Sequence, residues 1–209
     1  MGQLDIFGSS ESQLTFPKIG LNKIQNGEFI YLPNFFNKEE SSTYFNSLMK
    51  NILWKQESMN MYGKRVDFPR LTSWYGDNDK PYSFSGITLA PNPWSEDLIE
   101  IKNRIEPKAN AIFNSVLLNR YRSGSDSISW HTDAEKELGN NPIIASVNFG
   151  QARKFQLRHI ESKELLEIEL THGSLLIMQG ELQHFWQHQI PKTTKPVSER
   201  INLTFRVII

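Results

Sequence analysis

Histidine is scarce in this chain, and the five present, His131, His159, His172, His184 and His188, set the terms for any metal or acid–base chemistry. His131 and Asp133 stand two apart in SISWHTD, so an extended backbone turns both side chains to one side. An imidazole and a carboxylate so placed, completed by one distant histidine, make the facial triad that holds Fe(II) while leaving positions open for oxygen and a co-substrate. His-x-Asp is common by itself and gains weight only from its surroundings. The third ligand should come from a later strand, and HFWQHQIP offers His184 and His188 on one face. The strand end beside Pro191 favours His188, although spacing barely separates the two. His172, before Gly173, reads as a turn or supporting residue, and His159, beside Arg158, as a surface or substrate-side one. The chain has no cysteine, which excludes disulfides, thiolate zinc sites and cysteine nucleophiles together.

The terminal stretch RINLTFRVII carries the second chemical signal. Alternation puts Arg200, Asn202, Thr204 and Arg206 on one face of a strand and Ile201, Leu203, Phe205, Val207 and Ile209 on the other. If the polar face lines a pocket rather than water, each guanidinium there costs several kcal/mol unless an anion neutralises it. A ferrous dioxygenase needs a second electron source, and 2-oxoglutarate supplies two electrons while carrying two carboxylates. Arg200 and Arg206 lie about 20 Å apart along an extended strand, a gap that two long side chains leaning onto a short dianion could largely close. In NSVLLNRY, Asn119 and Tyr121 share a face and offer neutral hydrogen bonds to a carboxylate.

These residues need a scaffold, and the order of elements indicates one. Residues 1–27 are rich in Ser, Gly and Gln and read as an extension lying on the body or partly loose. FIYLPNFF gives a strand, and Asn37 with Glu40 predicts a capping box opening a helix to about Met49. Ser95 caps a second helix, expected to stop before Pro107. Beyond it, short β-type runs follow one another: NSVLLNRY, SISWH, IIASVNFG, RKFQLRH, ELLEIEL, GSLLIMQ, HFWQHQI and RINLTFRVII. So many short strands indicate a mainly β sandwich or barrel-like double sheet with flanking helices. Residues 55–86 have weak periodicity and many aromatic and basic side chains, and read as a long functional loop segment.

At 209 residues the chain can bury one good core, expected as one domain over 28–209 after the extension. The net charge is zero, so a nucleic-acid partner must be held by a local basic surface. Lys64, Arg65 and Arg70 beside Tyr62, Tyr75 and Tyr82 combine phosphate contacts with stacking faces. Arg153, Lys154, Arg158, Lys163, Lys192 and Lys195 could extend that footprint. No export signal is visible, and no run approaches the roughly 18 apolar residues of a membrane span. A soluble intracellular protein is the expectation, in the cytoplasm or, in a eukaryote, the nucleus, with a monomer as its form.

Taken in order, NRY at 119–121, His131-Thr132-Asp133, IASVNFG, FQLRH, HGSLLIM, the H-x-x-P from His188 and RINLTFR resemble the AlkB family of Fe(II)/2-oxoglutarate-dependent dioxygenases. YGKRVDFPR, WYGD and YSFSG look most like the branch that repairs alkylated bases in duplex and single-stranded DNA. The resemblance runs from about residue 28 to the end. It implies a double-stranded β-helix (jelly roll), and it chooses His188 over His184 as third ligand to Fe(II). It implies that Arg200 meets the far carboxylate of 2-oxoglutarate with help from Asn119 and Tyr121, that Arg206 lies near the chelating carboxylate, and that Asn202 lines the same pocket. For substrate it implies Phe84 against a flipped base, Glu135 near the base edge, and a loop tip of Tyr62, Gly63 and Lys64 with Arg70 near the DNA. Tyr82 from the aromatic and basic cluster, and Arg158 from the wider basic footprint, complete the expected substrate set. The activity implied is oxidative demethylation of N1-methyladenine and N3-methylcytosine, consuming molecular oxygen, with RNA or a substrate outside nucleic acid as the alternative.

Overall fold

The computed structural model describes residues 17–61, 63–77, 82–84, 87–89 and 91–209. It opens on a hairpin, β1 (Gly20–Ile24) and β2 (Gly27–Leu32), closed by a two-residue turn with Asn26 at φ 53°. Residues 20–24, expected within an extension lying on the body or partly loose, are thus a strand of the sheet. The turn is Gln25-Asn26, with Asn26 tolerating the left-handed conformation, a signal that the composition of the segment obscured. α1 (Lys38–Asn51) begins with the predicted reciprocal cap: Asn37 accepts from the Glu40 amide, and the Glu40 carboxylate accepts from the Asn37 amide.

Residues 55–86, expected as a loop, instead contain strands. β3 (Ser58–Met61) and β4 (Lys64–Asp67) form a separate hairpin, β5 (Leu71–Gly76) joins the main sheet, and β6 (Tyr82–Phe84) pairs with β7 (Ile87–Leu89). Tertiary pairing overrides weak local pattern here: LTSWYG is zipped to the strand at 115–121 over six rungs. α2 (Glu96–Ala109) runs through Pro107 rather than stopping before it. The missing N–H falls in the last turn, so a single bond, to the Asn103 carbonyl, is forfeited, and left-handed Asn110 at φ 51° closes the end.

The second half supplies β8 (Ser115–Tyr121), β9 (Ile128–His131), β10 (Ile144–Gly150), β11 (Arg153–His159), β12 (Leu165–Leu170) and β13 (Ser174–Gln179). A one-turn helix α3 (Leu182–Phe185), β14 (Trp186–Ile190) and β15 (Arg200–Arg206) follow. Among the described residues these make two antiparallel sheets, ordered β1-β2-β13-β10-β15-β8-β5 and β12-β11-β14-β9.

Alternation divides the large sheet between two apolar clusters. Ile201, Leu203 and Phe205 of β15 face outward to Leu48 of α1 and to Leu98, Ile101 and Ile105 of α2, all buried. The inner faces meet around Phe29, Leu157, Ile168, Leu176 and Trp186. Each such side chain contributes about 1.5–3 kcal/mol by leaving water. Gly173 locks α1 onto this frame: at φ +80°, an added Cβ would lie 2.5 Å from the Phe36 carbonyl oxygen. The apolar filling does not extend to the whole interior. At the end where β8, β9, β14 and β15 meet, it gives way to polar side chains.

Candidate metal and co-substrate site

β14 lies antiparallel to β9 with His188 opposite His131 and Ile190 opposite Ile128. Three steps along β9 match two along β14, so β9 carries one extra residue, a bulge at Ser129 and Trp130. Without it, Ile128 facing inward would force His131 outward; the bulge shifts the phase so that both face in. Asp133 lies past the end of β9, where its backbone N–H donates to Gln183 Oε1 at 2.9 Å. Ligand atoms of His131, Asp133 and His188 then fall within 4.8 Å of one another. His184, the alternative third ligand, lies in α3 rather than on a strand shared with His188, and pairs with Asn141.

The donor chemistry of this cluster suits a divalent metal. His131 Nδ1 lies 2.8 Å from the Ser129 carbonyl, which can only accept, so that nitrogen carries the proton and Nε2 keeps its lone pair. Burial, then the neighbouring His131, drives the His188 imidazole down to about 3, so it is neutral at physiological pH and ready to ligate. Its Nδ1 is buried without a hydrogen-bond partner among the described residues. Burial would raise the Asp133 carboxyl, but Arg206 and then the two histidines hold it below the usual carboxylate range. Arg206 Nη2 donates to Asp133 Oδ1 at 2.7 Å.

On the inner face of the large sheet, register places Tyr121 opposite Arg200, and Asn119, Asn202 and Asn148 in one row across β8, β15 and β10. Arg200 is 1% exposed. Its Nη2 donates to Asn148 Oδ1, the Tyr121 ring lies 4.8 Å beneath its guanidinium, and Nε and Nη1 are buried without partners among the described residues. Asn202 donates to Ser146 and Asn148 and accepts from Thr204, so it braces the row. Asn148 was not among the residues expected here, although the polar Ser146 and Asn148 alternating within IASVNFG were a signal. A buried guanidinium with two nitrogens unmatched among the described residues, on the same face of β15 as the Arg206 that holds Asp133, fits a dicarboxylate co-substrate.

Residues expected toward substrate are distributed differently. Gly63, at φ +75°, and Lys64 stand exposed at the tip of the β3–β4 hairpin. Tyr62 and the side chains of Tyr82 and Phe84 lie outside the described residues. Glu135 follows Asp133 by two positions and carries a buried carboxylate oxygen, Oε2, with no partner among the described residues. Arg158 faces outward from β11, stacked 4.2 Å over the Trp130 ring and donating to Gln187. Arg70, expected at the nucleic-acid surface, is instead buried and donates to Asn119 Oδ1 at 2.7 Å. Tyr75 belongs to the helix-side core, not to a stacking face. His159, expected at the surface or on the substrate side, is buried, with the amides of Glu161 and Ser162 directed at Nδ1. Arg153 is buried as well, donating to the carbonyls of Ser123, Asp126 and Pro191.

Two antiparallel sheets closed around a His-x-Asp…His cluster, with a buried arginine on the strand that follows the distal histidine, define the class of 2-oxoglutarate-dependent ferrous oxygenases. The family model of the 2OG-Fe(II) oxygenase superfamily matches residues 28–206. Alpha-ketoglutarate-dependent dioxygenase alkB homolog 3 of Bos taurus is 41% identical over 186 residues, covering 84% of this chain and 64% of that protein. DNA oxidative demethylase ALKBH2 of Homo sapiens is 37% identical over 185 residues, covering 83% of this chain and 71% of that protein. The solved structure titled "The structure of OsALKBH1" shares the fold with a TM-score of 0.62 at 17% identity, over 88% of this chain and 100% of that one. The chain belongs to the AlkB family of the 2OG-Fe(II) oxygenase superfamily. It spans a little under two thirds of the length of the alkB homolog 3 proteins that it matches.

Proposed function

We propose that this chain is an Fe(II)- and 2-oxoglutarate-dependent dioxygenase that removes N-alkyl groups, N1-methyladenine and N3-methylcytosine among them, from DNA bases. The observation that carries this reading is the gathering of the His131, Asp133 and His188 donors, with Arg206 of β15 bonded to Asp133 and the buried, part-unmatched guanidinium of Arg200 on the same face of that strand. Bound Fe(II), with 2-oxoglutarate and oxygen, supplies the hydroxylation of an N-methyl group, co-substrate leaving as succinate and carbon dioxide and the unstable N-hydroxymethyl group as formaldehyde.

The chain's own residues hold and orient. Ser129 fixes the tautomer of His131, and Gln183 and Arg206 fix Asp133 from its backbone and its carboxylate. Arg200, positioned by Asn148 and Tyr121, receives the far carboxylate, and Asn119 adds a neutral donor. The unpartnered Glu135 oxygen suits the exocyclic amine of a flipped base and favours a cationic, N-alkylated ring over a neutral one. No protein nucleophile or general base is needed.

Nucleic acid as partner is supported by the projecting hairpin. β4 is exposed along its whole length, and an isolated two-stranded hairpin is marginally stable by itself, so its basic tip calls for a partner. Tyr62, between Met61 and Lys64, is the candidate wedge that would offset part of the unstacking cost. The names of the relatives, a DNA oxidative demethylase among them, favour DNA. Among the described residues no helix is long and apolar enough to cross a membrane. Action as a monomer inside the cell belongs to the same proposal.

The test is incubation with methylated oligonucleotides, Fe(II), ascorbate and 2-oxoglutarate, in parallel on single-stranded DNA, duplex DNA and RNA. A mass fall of one methylene is expected on DNA. Turnover confined to RNA would replace the substrate, and 2-oxoglutarate decarboxylation with no nucleic-acid turnover would keep the oxygenase and remove DNA. Tyr62→Ala should impair duplex repair well beyond its effect on single strands.

A further inference from the structure

We infer that Arg70 is a positioning residue for the co-substrate, fixing the Asn119 carboxamide so that its NH2 group, not its oxygen, is offered to the carboxylate of 2-oxoglutarate. The inference rests on the proposed 2-oxoglutarate site. It assigns Arg70 a role distinct from the nucleic-acid contact that its sequence neighbourhood suggested.

Arg70 is 9% exposed, which leaves little of it for a phosphate outside. Its Nε lies 2.7 Å from Asn119 Oδ1. A guanidinium only donates, so the atom facing it must be the amide oxygen, and the orientation of the Asn119 side chain is thereby decided. A carboxylate only accepts. With the oxygen tied to Arg70, what remains of the Asn119 carboxamide is a donor; turned over, it would present one oxygen to another and repel the ligand.

The placement of Arg70 is itself well determined. Pro69 and Arg70 bracket Ser127: the Ser127 amide donates to the Pro69 carbonyl at 2.9 Å, and Arg70 Nη1 reaches the Ser127 carbonyl at 3.4 Å. Ser127 immediately precedes β9, which carries His131. The Phe68 ring lies 5.2 Å from the guanidinium. Thr72 of β5 pairs in register with Asn119 of β8, so Arg70, just before β5, reaches Asn119 from the start of the neighbouring strand. One guanidinium therefore joins three parts: the segment that ends the exposed β3–β4 hairpin, the co-substrate residue Asn119, and the approach to the metal strand.

The test is isothermal titration of 2-oxoglutarate into the Mn(II)-loaded full chain, as wild type, Arg70→Met, Asn119→Ala and the double variant. Mn(II) affinity is followed separately by electron paramagnetic resonance, and folding by circular dichroism. Arg70→Met should weaken 2-oxoglutarate by about tenfold or more with Mn(II) affinity unchanged. In the Asn119→Ala background it should have no further effect, because the pair acts as a unit. An unchanged 2-oxoglutarate affinity in Arg70→Met, or a loss that adds in full to that of Asn119→Ala, overturns the inference. Should Arg70→Met fail to fold, Arg70→Lys keeps a cation in place, and the same non-additivity with Asn119→Ala decides. A wild type that binds no 2-oxoglutarate brings down the site reading and this inference together; a wild type that binds it while Arg70→Met binds it equally well brings down this inference alone.

Discussion

Replacing Arg200 by Met should have effects of opposite sign on stability and on binding. Arg200 is 1% exposed, donates to Asn148 and has the Tyr121 ring at 4.8 Å. The effective penalty for burying such an ion is several kcal/mol. Against it stand about 1.5–3 kcal/mol for a charge-assisted hydrogen bond and up to about 2 kcal/mol for a desolvated cation–π contact. The sum is close to zero or unfavourable in the absence of ligand. Met fills much of the same volume without the charge, and Asn148 Oδ1 keeps its second donor, Asn202 Nδ2 at 3.1 Å. Arg200→Met should therefore be about 0–3 kcal/mol more stable than wild type without co-substrate, a rise in Tm of at most about 12 °C for a chain of this size.

With co-substrate the order reverses. Wild type loaded with Mn(II) and given 2-oxoglutarate at about one hundred times Kd gains roughly 2.7 kcal/mol, or about 5–10 °C. The variant, lacking the guanidinium that receives the far carboxylate, gains nothing at that concentration. Thermal unfolding by circular dichroism, with and without 2-oxoglutarate, measures both quantities in one set of samples. A variant that keeps the ligand-induced shift would refute the assignment of Arg200. A loss of 2 kcal/mol or more without ligand would refute the accounting of its burial.

Gln183→Leu removes the acceptor for the Asp133 backbone amide at nearly constant volume, and should weaken Mn(II) by about tenfold or more in titrations followed by electron paramagnetic resonance. His172 accepts from the Gly150 amide through Nδ1 and faces Ser42, with the Phe149 ring alongside; burial, then Lys38, lowers its pKa. The unfolded chain therefore binds the proton more tightly, so this stabilisation is complete above the ordinary histidine pKa of about 6.5 and is lost as pH falls below it. Urea unfolding of wild type and His172→Gln should show a larger fall in stability for wild type between pH 7.5 and pH 5. Gly173→Ala forces a Cβ to 2.3 Å from Ser41 Oγ at a positive φ, and should destabilise by about 2–4 kcal/mol in the same assay, detaching α1 without altering the ligand set.

The parts of this site that alternation governs were legible in the sequence. RINLTFR shows its two faces by period alone, while period leaves open which face turns inward; β15 turns Arg200, Asn202 and Thr204 inward because the opposite face is taken up whole by the helices. The capped helix at Asn37 was legible for the same reason: its signal is local and chemically explicit. Residues 181–190 show where period fails. A single turn of helix at Leu182–Phe185 breaks the phase between His184 and His188, and a four-residue helix is too short to mark a pattern. Arg70 was misplaced because composition reports charge but not the partner; only the pairing of β5 with β8 brings it to Asn119.

His131 and Asp133 reach the same place by a route that spacing did not predict. The sequence argues for two residues on one face of a straight strand, yet β9 ends at His131 and is bulged just before it. Because Ile128 is needed by the core between the sheets, an unbroken strand would satisfy either the core or the metal cluster, never both. One extra residue reconciles them, and leaves Asp133 to be placed by contacts from elsewhere in the chain, Gln183 and Arg206, each about 50 residues or more away in sequence. A bulge and two long-range hydrogen bonds have no local signature, so the ligand set could be inferred from residue types while its construction could not. The same construction explains why substitutions at Gln183 or Arg70, neither of which is a ligand, should be felt at the site almost as strongly as substitutions of the residues that they hold.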